Sequence, residues 1–164
     1  MPDRSSVVPL ENDPRNPCIG CGPENPVGLH MSFQRAGDRV FSALSASPQH
    51  QGWPGRLHTG ILYLAMLETA NWTLYGLLGR VGVPVRTTAL DTRRWIAIGE
   101  NVTLFGRQLS NSEAKARVAI EARDAGDHVV AYLERDYVLP GRPEFLKRLA
   151  YAQIPPGLED ALPE

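Results

Sequence analysis

Hydrophobic and polar positions divide the chain into a patterned middle and two unpatterned ends. Leu29, Met31 and Phe33 alternate with His30, Ser32 and Gln34, the period of a half-buried strand. Ala36-Gly37-Asp38 carries turn chemistry, and Arg39 to Ala46 reads as a second strand, so the two predict a hairpin. A loop over Ser47 to Gly55 follows. From Thr59 to Leu78 apolar side chains cover most of a helical circumference, with Thr59 or His58 placed to cap the start and Gly79 the end. A helix apolar on nearly all sides predicts burial.

Past Gly82 and Pro84 the strand period returns, over Arg86 to Arg94, Glu100 to Leu109, Glu113 to Arg123 and His128 to Leu139. The third is the clearest, with Ala114, Ala116, Val118, Ile120 and Ala122 on one face. Asp124-Ala125-Gly126-Asp127 turns the chain, and Pro143 to Tyr151 predicts a short terminal helix. Eleven of the 14 prolines lie at or before Pro26 or at or after Pro140. Proline is kept out of ladders and helix interiors. The expected organisation is therefore an irregular lead-in over 1–28, a folded domain over 29–139 and a tail over 140–164. Short turns between successive strands predict antiparallel neighbours. One apolar helix and one antiparallel sheet to cover it predict an α+β fold with the sheet curled around the helix, the hot-dog architecture.

Composition narrows the classes. The 164 residues, 43% hydrophobic and 21% charged, suffice for one domain with a real core. Lys+Arg 17 against Asp+Glu 18 gives a net charge of -1, which argues against nucleic acid or an anionic membrane as the partner. The apolar run from Ile61 to Leu67 is far short of the roughly 20 residues that span a bilayer. Met1-Pro-Asp-Arg-Ser-Ser shows no basic-then-apolar pattern of a signal peptide, and two cysteines are too few for a disulfide framework. A soluble, cytoplasmic protein is expected.

The segment His50-Gln51-Gly52-Trp53-Pro54-Gly55-Arg56-Leu57-His58-Thr59-Gly60, running into Ile61 to Ala70, resembles the signature of hot-dog acyl-CoA thioesterases of the phenylacetyl-CoA type. That family carries Gly-x-x-His-Gly-Gly at the mouth of its central helix and an acid two to three turns in. Cys18-Ile-Gly-Cys-Gly-Pro-Glu-Asn-Pro-Val-Gly-Leu29 is similar to the N-terminal motif of one branch of the superfamily. The resemblance spans about Cys18 to Leu139. It implies hydrolysis of a CoA thioester without a cofactor. The amide of Thr59 would polarise the carbonyl, with Gly60 admitting the substrate and His58 beside it. Glu68 would act as nucleophile or as base on water. Apart from the resemblance, His50, Gln51 and Trp53 are candidates for the pocket wall, with loop, core or interface packing as the alternative, and Arg93 and Arg94, with Arg86 near, are candidates to hold CoA phosphates, with solvated or salt-bridged strand faces as the alternative. First-turn amides at a helix N-terminus lack intrahelical partners and suit a developing oxyanion.

Two departures from the family pattern stand out. Thr59 replaces the first glycine after the histidine, and the usual acid position is Leu67, with Glu68 one residue later. One residue turns about 100° on a helix. Ten residues of helix, from His58 to Glu68, rise about 15 Å, so Glu68 serves only a site shared with a second chain. An active protein is thus expected to be a homodimer or a pair of dimers, as the family's are. The rival readings are a non-catalytic hot-dog protein that binds acyl-CoA, and a dehydratase or hydratase, whose Asp-x4-His pattern is not recognised here. Glu68 is the only Asp, Glu, Lys or Arg between Arg56 and Arg80, so catalysis competes with a structural role at an interface. Cys18 and Cys21 have the spacing of half a zinc site. With no second cysteine pair, and only His30 or His50 as conceivable partners, no metal is expected and the motif reads as a turn that packs the lead-in.

Overall fold

The computed structural model describes residues 7–164. The Met1-to-Ser6 stretch, on which the signal-peptide reading rests, lies outside them. Seven strands form one antiparallel sheet: β1 (Val7–Leu10), β2 (Phe33–Ala36), β3 (Arg39–Ser45), β4 (Val83–Thr92), β5 (Asn101–Asn111), β6 (Lys115–Arg123) and β7 (Val129–Val138). Their order is β1-β2-β3-β5-β6-β7-β4. A 20-residue helix α1 (Thr59–Leu78) packs across β2, β3, β5 and β6, and a short α2 (Arg142–Leu149) follows the sheet. The α+β, helix-wrapped-by-sheet expectation is met, with α1 beginning and ending where the caps place it.

The sheet departs from the sequence reading in three places. The strand expected from Leu29 begins only at Phe33. The Leu29 amide donates to the Ile19 carbonyl at 2.8 Å and the Met31 amide to Gly20 at 3.0 Å, so this stretch is bound to the lead-in instead of a neighbouring strand. His30 takes φ 48, which breaks the extended run. Second, the lead-in contributes β1, whose Pro9 is tolerated because β1 is a sheet edge. Third, β4 and β5 are not neighbours: β4 pairs with β7 and β5 with β3. The segment between them, 93–100, crosses the N-terminal end of α1, where the Leu57 amide donates to the Ile96 carbonyl at 2.9 Å.

Helix α1 has two unlike faces. Leu62, Ala65, Met66, Thr69, Ala70, Thr73 and Leu74 are buried, with the 3- and 4-residue spacing of one face turned to the sheet. The two threonine hydroxyls donate to the carbonyls four residues back, at 2.8 and 2.6 Å, so no polar group on this face goes unpaired. The opposite stripe, Gly60, Leu64, Leu67, Asn71, Tyr75 and Leu78, is only partly covered or exposed. One chain therefore covers one side of a helix that its sequence makes apolar all round.

Close packing of α1 on the sheet requires Gly106 of β5. A Cβ there would collide with Oγ1 of Thr73. Among the described residues, no helix is long and apolar enough to cross a membrane. Gly106→Ala is expected to lower unfolding free energy by about 1–3 kcal/mol, the usual cost of overpacking. Urea denaturation checks this, and an unchanged midpoint would show that α1 does not press on β5 as described.

Candidate functional site at the mouth of the central helix

The chain reaches α1 through a small hairpin. Gln51 bridges to Leu57, the Gly52 amide donates to the Arg56 carbonyl at 2.9 Å, and the Gln51 side chain accepts from the Gly55 amide at 2.7 Å. Trp53 stands at the tip, 70% exposed. The His50 ring lies 3.0 Å from the Ser47 hydroxyl, and the His50 carbonyl accepts from the His58 amide at 2.8 Å. His50 and Gln51 thus brace the loop that delivers His58.

His58 is the N-cap of α1. Its Nδ1 accepts from the Gly60 amide at 2.9 Å, and its carbonyl accepts from Ile61. The Thr59 amide has no partner among the described residues. The cap therefore occupies the second amide of the helix and leaves the first at the positive end of the dipole.

That first turn opens into a groove of about 300 Å³, lined by Thr59, Tyr63, Thr92, Arg93, Arg94 and Trp95. Tyr63 follows Thr59 by one helical turn, and its hydroxyl lies 2.7 Å from that of Thr92. Arg94 is held by Glu100 and by Asp124, the latter at 2.9 Å. Those partners raise its pKa, and the Arg94 guanidinium in turn, with the His128 amide, holds Asp124 well below the usual carboxylate range, at about 2. Among the described residues the Arg93 side chain meets only Asp91, at 3.3 Å between two exposed side chains. Arg86 pairs with Asp136 at 3.0 Å and does not line the groove. The structure thus brings together Thr59, Arg93 and Arg94 from the expected set. It adds Tyr63 and Thr92, which the i, i+4 spacing from Thr59 and the strand end before Arg93 would have flagged.

Glu68 lies elsewhere. Nine residues past Thr59 on one helix, it stands about 13.5 Å along the axis from that amide. It projects from the half of α1 turned away from the sheet, where the lead-in covers it. Gly20 passes so close that a Cβ there would strike the Glu68 side chain. Cys18, Cys21 and Glu68 offer Sγ, Sγ and carboxylate oxygen all within 4.8 Å of one another. Burial, and then the negative charge on Cys18, push the Glu68 carboxyl up to about 7. The neighbouring Cys21 side chain lowers the Cys18 pKa, and the Cys18 side chain together with burial raises that of Cys21. Leu67 packs partly against the core. The contact between Glu68 and the cysteines joins residues about fifty positions apart and has no signal in local pattern.

Comparison with known proteins agrees with the fold. No family model and no curated protein matches the chain. Among solved structures, a thioesterase superfamily protein superposes with a TM-score of 0.67 at 23% identity, covering 76% of this chain and 60% of its own. The Escherichia coli PaaI protein of the phenylacetic acid degradation operon gives a TM-score of 0.63 at 14% identity, covering 69% and 81%. A hypothetical thioesterase from Streptococcus pneumoniae, solved with coenzyme A, gives 0.62 at 12%, covering 68% and 86%. What these structures share with the chain is the fold, the hot-dog architecture that the sequence pattern predicts. This chain spans 60% of the length of the first of these structures.

His58→Ala is expected to cost about 1 kcal/mol of stability through loss of the cap. Thermal unfolding measures it. No loss would mean that the Gly60 amide does not depend on the ring.

Proposed function

We propose that the chain hydrolyses acyl-CoA thioesters at a site shared by two copies. The observation that carries this reading is the free Thr59 amide at the head of α1, opening into a groove with Arg93 at its edge. A thioester carbonyl seated there would have its oxyanion stabilised by the amide and the helix dipole. Arg93 suits the phosphates of CoA, since its guanidinium presents several donors to one anion.

The general base comes from the other copy. Glu68 cannot reach its own helix mouth, but an antiparallel second α1 crossing near Leu64 sets each Glu68 level with the other chain's Thr59. The incompletely covered stripe through Gly60, Leu64, Leu67 and Asn71 offers the surface for that crossing. Glu68 takes a proton from water, the hydroxide adds to the thioester carbon, and the tetrahedral intermediate expels the CoA thiolate, which is then protonated. The products are the free acid and CoA. A second reading, acyl-CoA binding without turnover, is favoured by one observation: the Glu68 carboxylate is turned toward Cys18 and Cys21.

Proline at the first helical position keeps the helix, because that amide has no intrahelical role. His58 already has φ -65 and ψ 128, which a following proline favours. Thr59→Pro is therefore expected to lower kcat about 10²–10³-fold with the fold intact, while Thr59→Ala retains activity. Free thiol release from a panel of acyl-CoAs measures both. Equal activity in the two variants would remove the amide from the mechanism. Micromolar binding of acyl-CoA by the unaltered protein, without thiol release, would establish the second reading.

A further inference from the structure

The lead-in turn is built in a way that packing alone does not require. Cys18-Ile19-Gly20-Cys21-Gly22 folds back on itself, the Gly22 amide donating to the Cys18 carbonyl at 2.9 Å. The Cys18 sulfur accepts from the Gly20 amide at 3.3 Å, and the Cys21 sulfur from the Asn16 side chain at 3.5 Å. Asn16 also accepts from the Cys18 amide at 2.9 Å and donates to Asn12 at 3.0 Å, and Asn12 donates to the Cys21 carbonyl at 2.7 Å. Both sulfurs are thus fixed in place and receive N–H donors, the setting that favours thiolates as ligands. They face a carboxylate on a different element, and Gly20 leaves no side chain between them.

We infer that Cys18, Cys21 and Glu68 form a binding site for one zinc-class divalent cation. Tetrahedral zinc, with Zn–S near 2.3 Å, sets two sulfurs about 3.8 Å apart and a sulfur and an oxygen about 3.5 Å apart. The three ligand atoms already lie within 4.8 Å of one another, so small side-chain rotations close the site. Two thiolates select zinc-like ions over magnesium or calcium. Three protein ligands leave the fourth position to water or another small donor. Neither His30 nor His50 joins the cluster; the third ligand is the acid of the central helix.

A bound ion takes the carboxylate oxygens that hydrolysis needs. This consequence rests on the thioesterase reading: zinc is expected to inhibit thiol release and a chelator to restore it. The site itself is tested without substrate.

The reduced, chelator-treated full chain is titrated with Co²⁺ in the absence of oxygen. One equivalent is expected to give the near-ultraviolet sulfur-to-cobalt band. That band should vanish in the variant carrying Cys18→Ser and Cys21→Ser. In Glu68→Gln, affinity should fall by at least the roughly 10–100-fold that even an outer-shell partner's loss costs. Zinc should also shield both thiols of the unaltered protein from a chromogenic disulfide reagent, a readout that needs no variant. Absence of the band at one equivalent, a band that survives loss of both cysteines, or thiols that react equally fast with zinc present would overturn the inference.

Discussion

One rigid rod governs this molecule. Helix α1 carries both the unpaired amide at its head and the only carboxylate along its length, nine residues and about 13.5 Å apart. Helical geometry does not let those two groups meet within a chain. The sheet fixes the rod by burying one face, from Leu62 through Leu74, and leaves the other side short of cover. The proposed shared site answers both the incomplete burial and the separated groups with a second copy of the helix laid antiparallel against the first.

Much of this is legible in the sequence, for identifiable reasons. Helix α1 is readable end to end because its caps are local: His58 and Gly79 each close a hydrogen bond within a few residues. Strands β6 and β7 follow their alternation closely. The lead-in is where pattern fails. Leu29 to Ser32 alternates like a strand, yet its amides are taken by Ile19 and Gly20, and β1 hides among prolines because an edge strand tolerates them. The order of β4 and β5 is likewise not legible, since the sequence of a short connection across the helix mouth is like that of a turn between neighbouring strands.

The candidate site divides along the same line. Thr59, Arg93 and Arg94 line one groove, because each lies beside the helix mouth. His50 and Gln51 spend their side chains inside the loop, and Trp53 stands away from it. What no local pattern discloses is the company that Glu68 keeps. Its neighbours come from the lead-in, so the half-motif of cysteines and the isolated acid, read separately from the sequence, are one cluster in space. Desolvation and the adjacent thiolate keep that acid's pKa near neutrality, at about 7, where it holds its proton more readily than an exposed glutamate does.

The most direct test of the shared site is complementation between two inactive chains. Thr59→Pro and Glu68→Gln proteins are mixed in equal amounts, allowed to exchange subunits, and assayed for thiol release. A mixed dimer keeps one unaltered amide facing one unaltered carboxylate, so recovery of about a quarter of the unaltered rate is predicted for random pairing of symmetric subunits. Activity that stays at the level of the separate variants after exchange would contradict the account, because amide and carboxylate would then belong to the same chain.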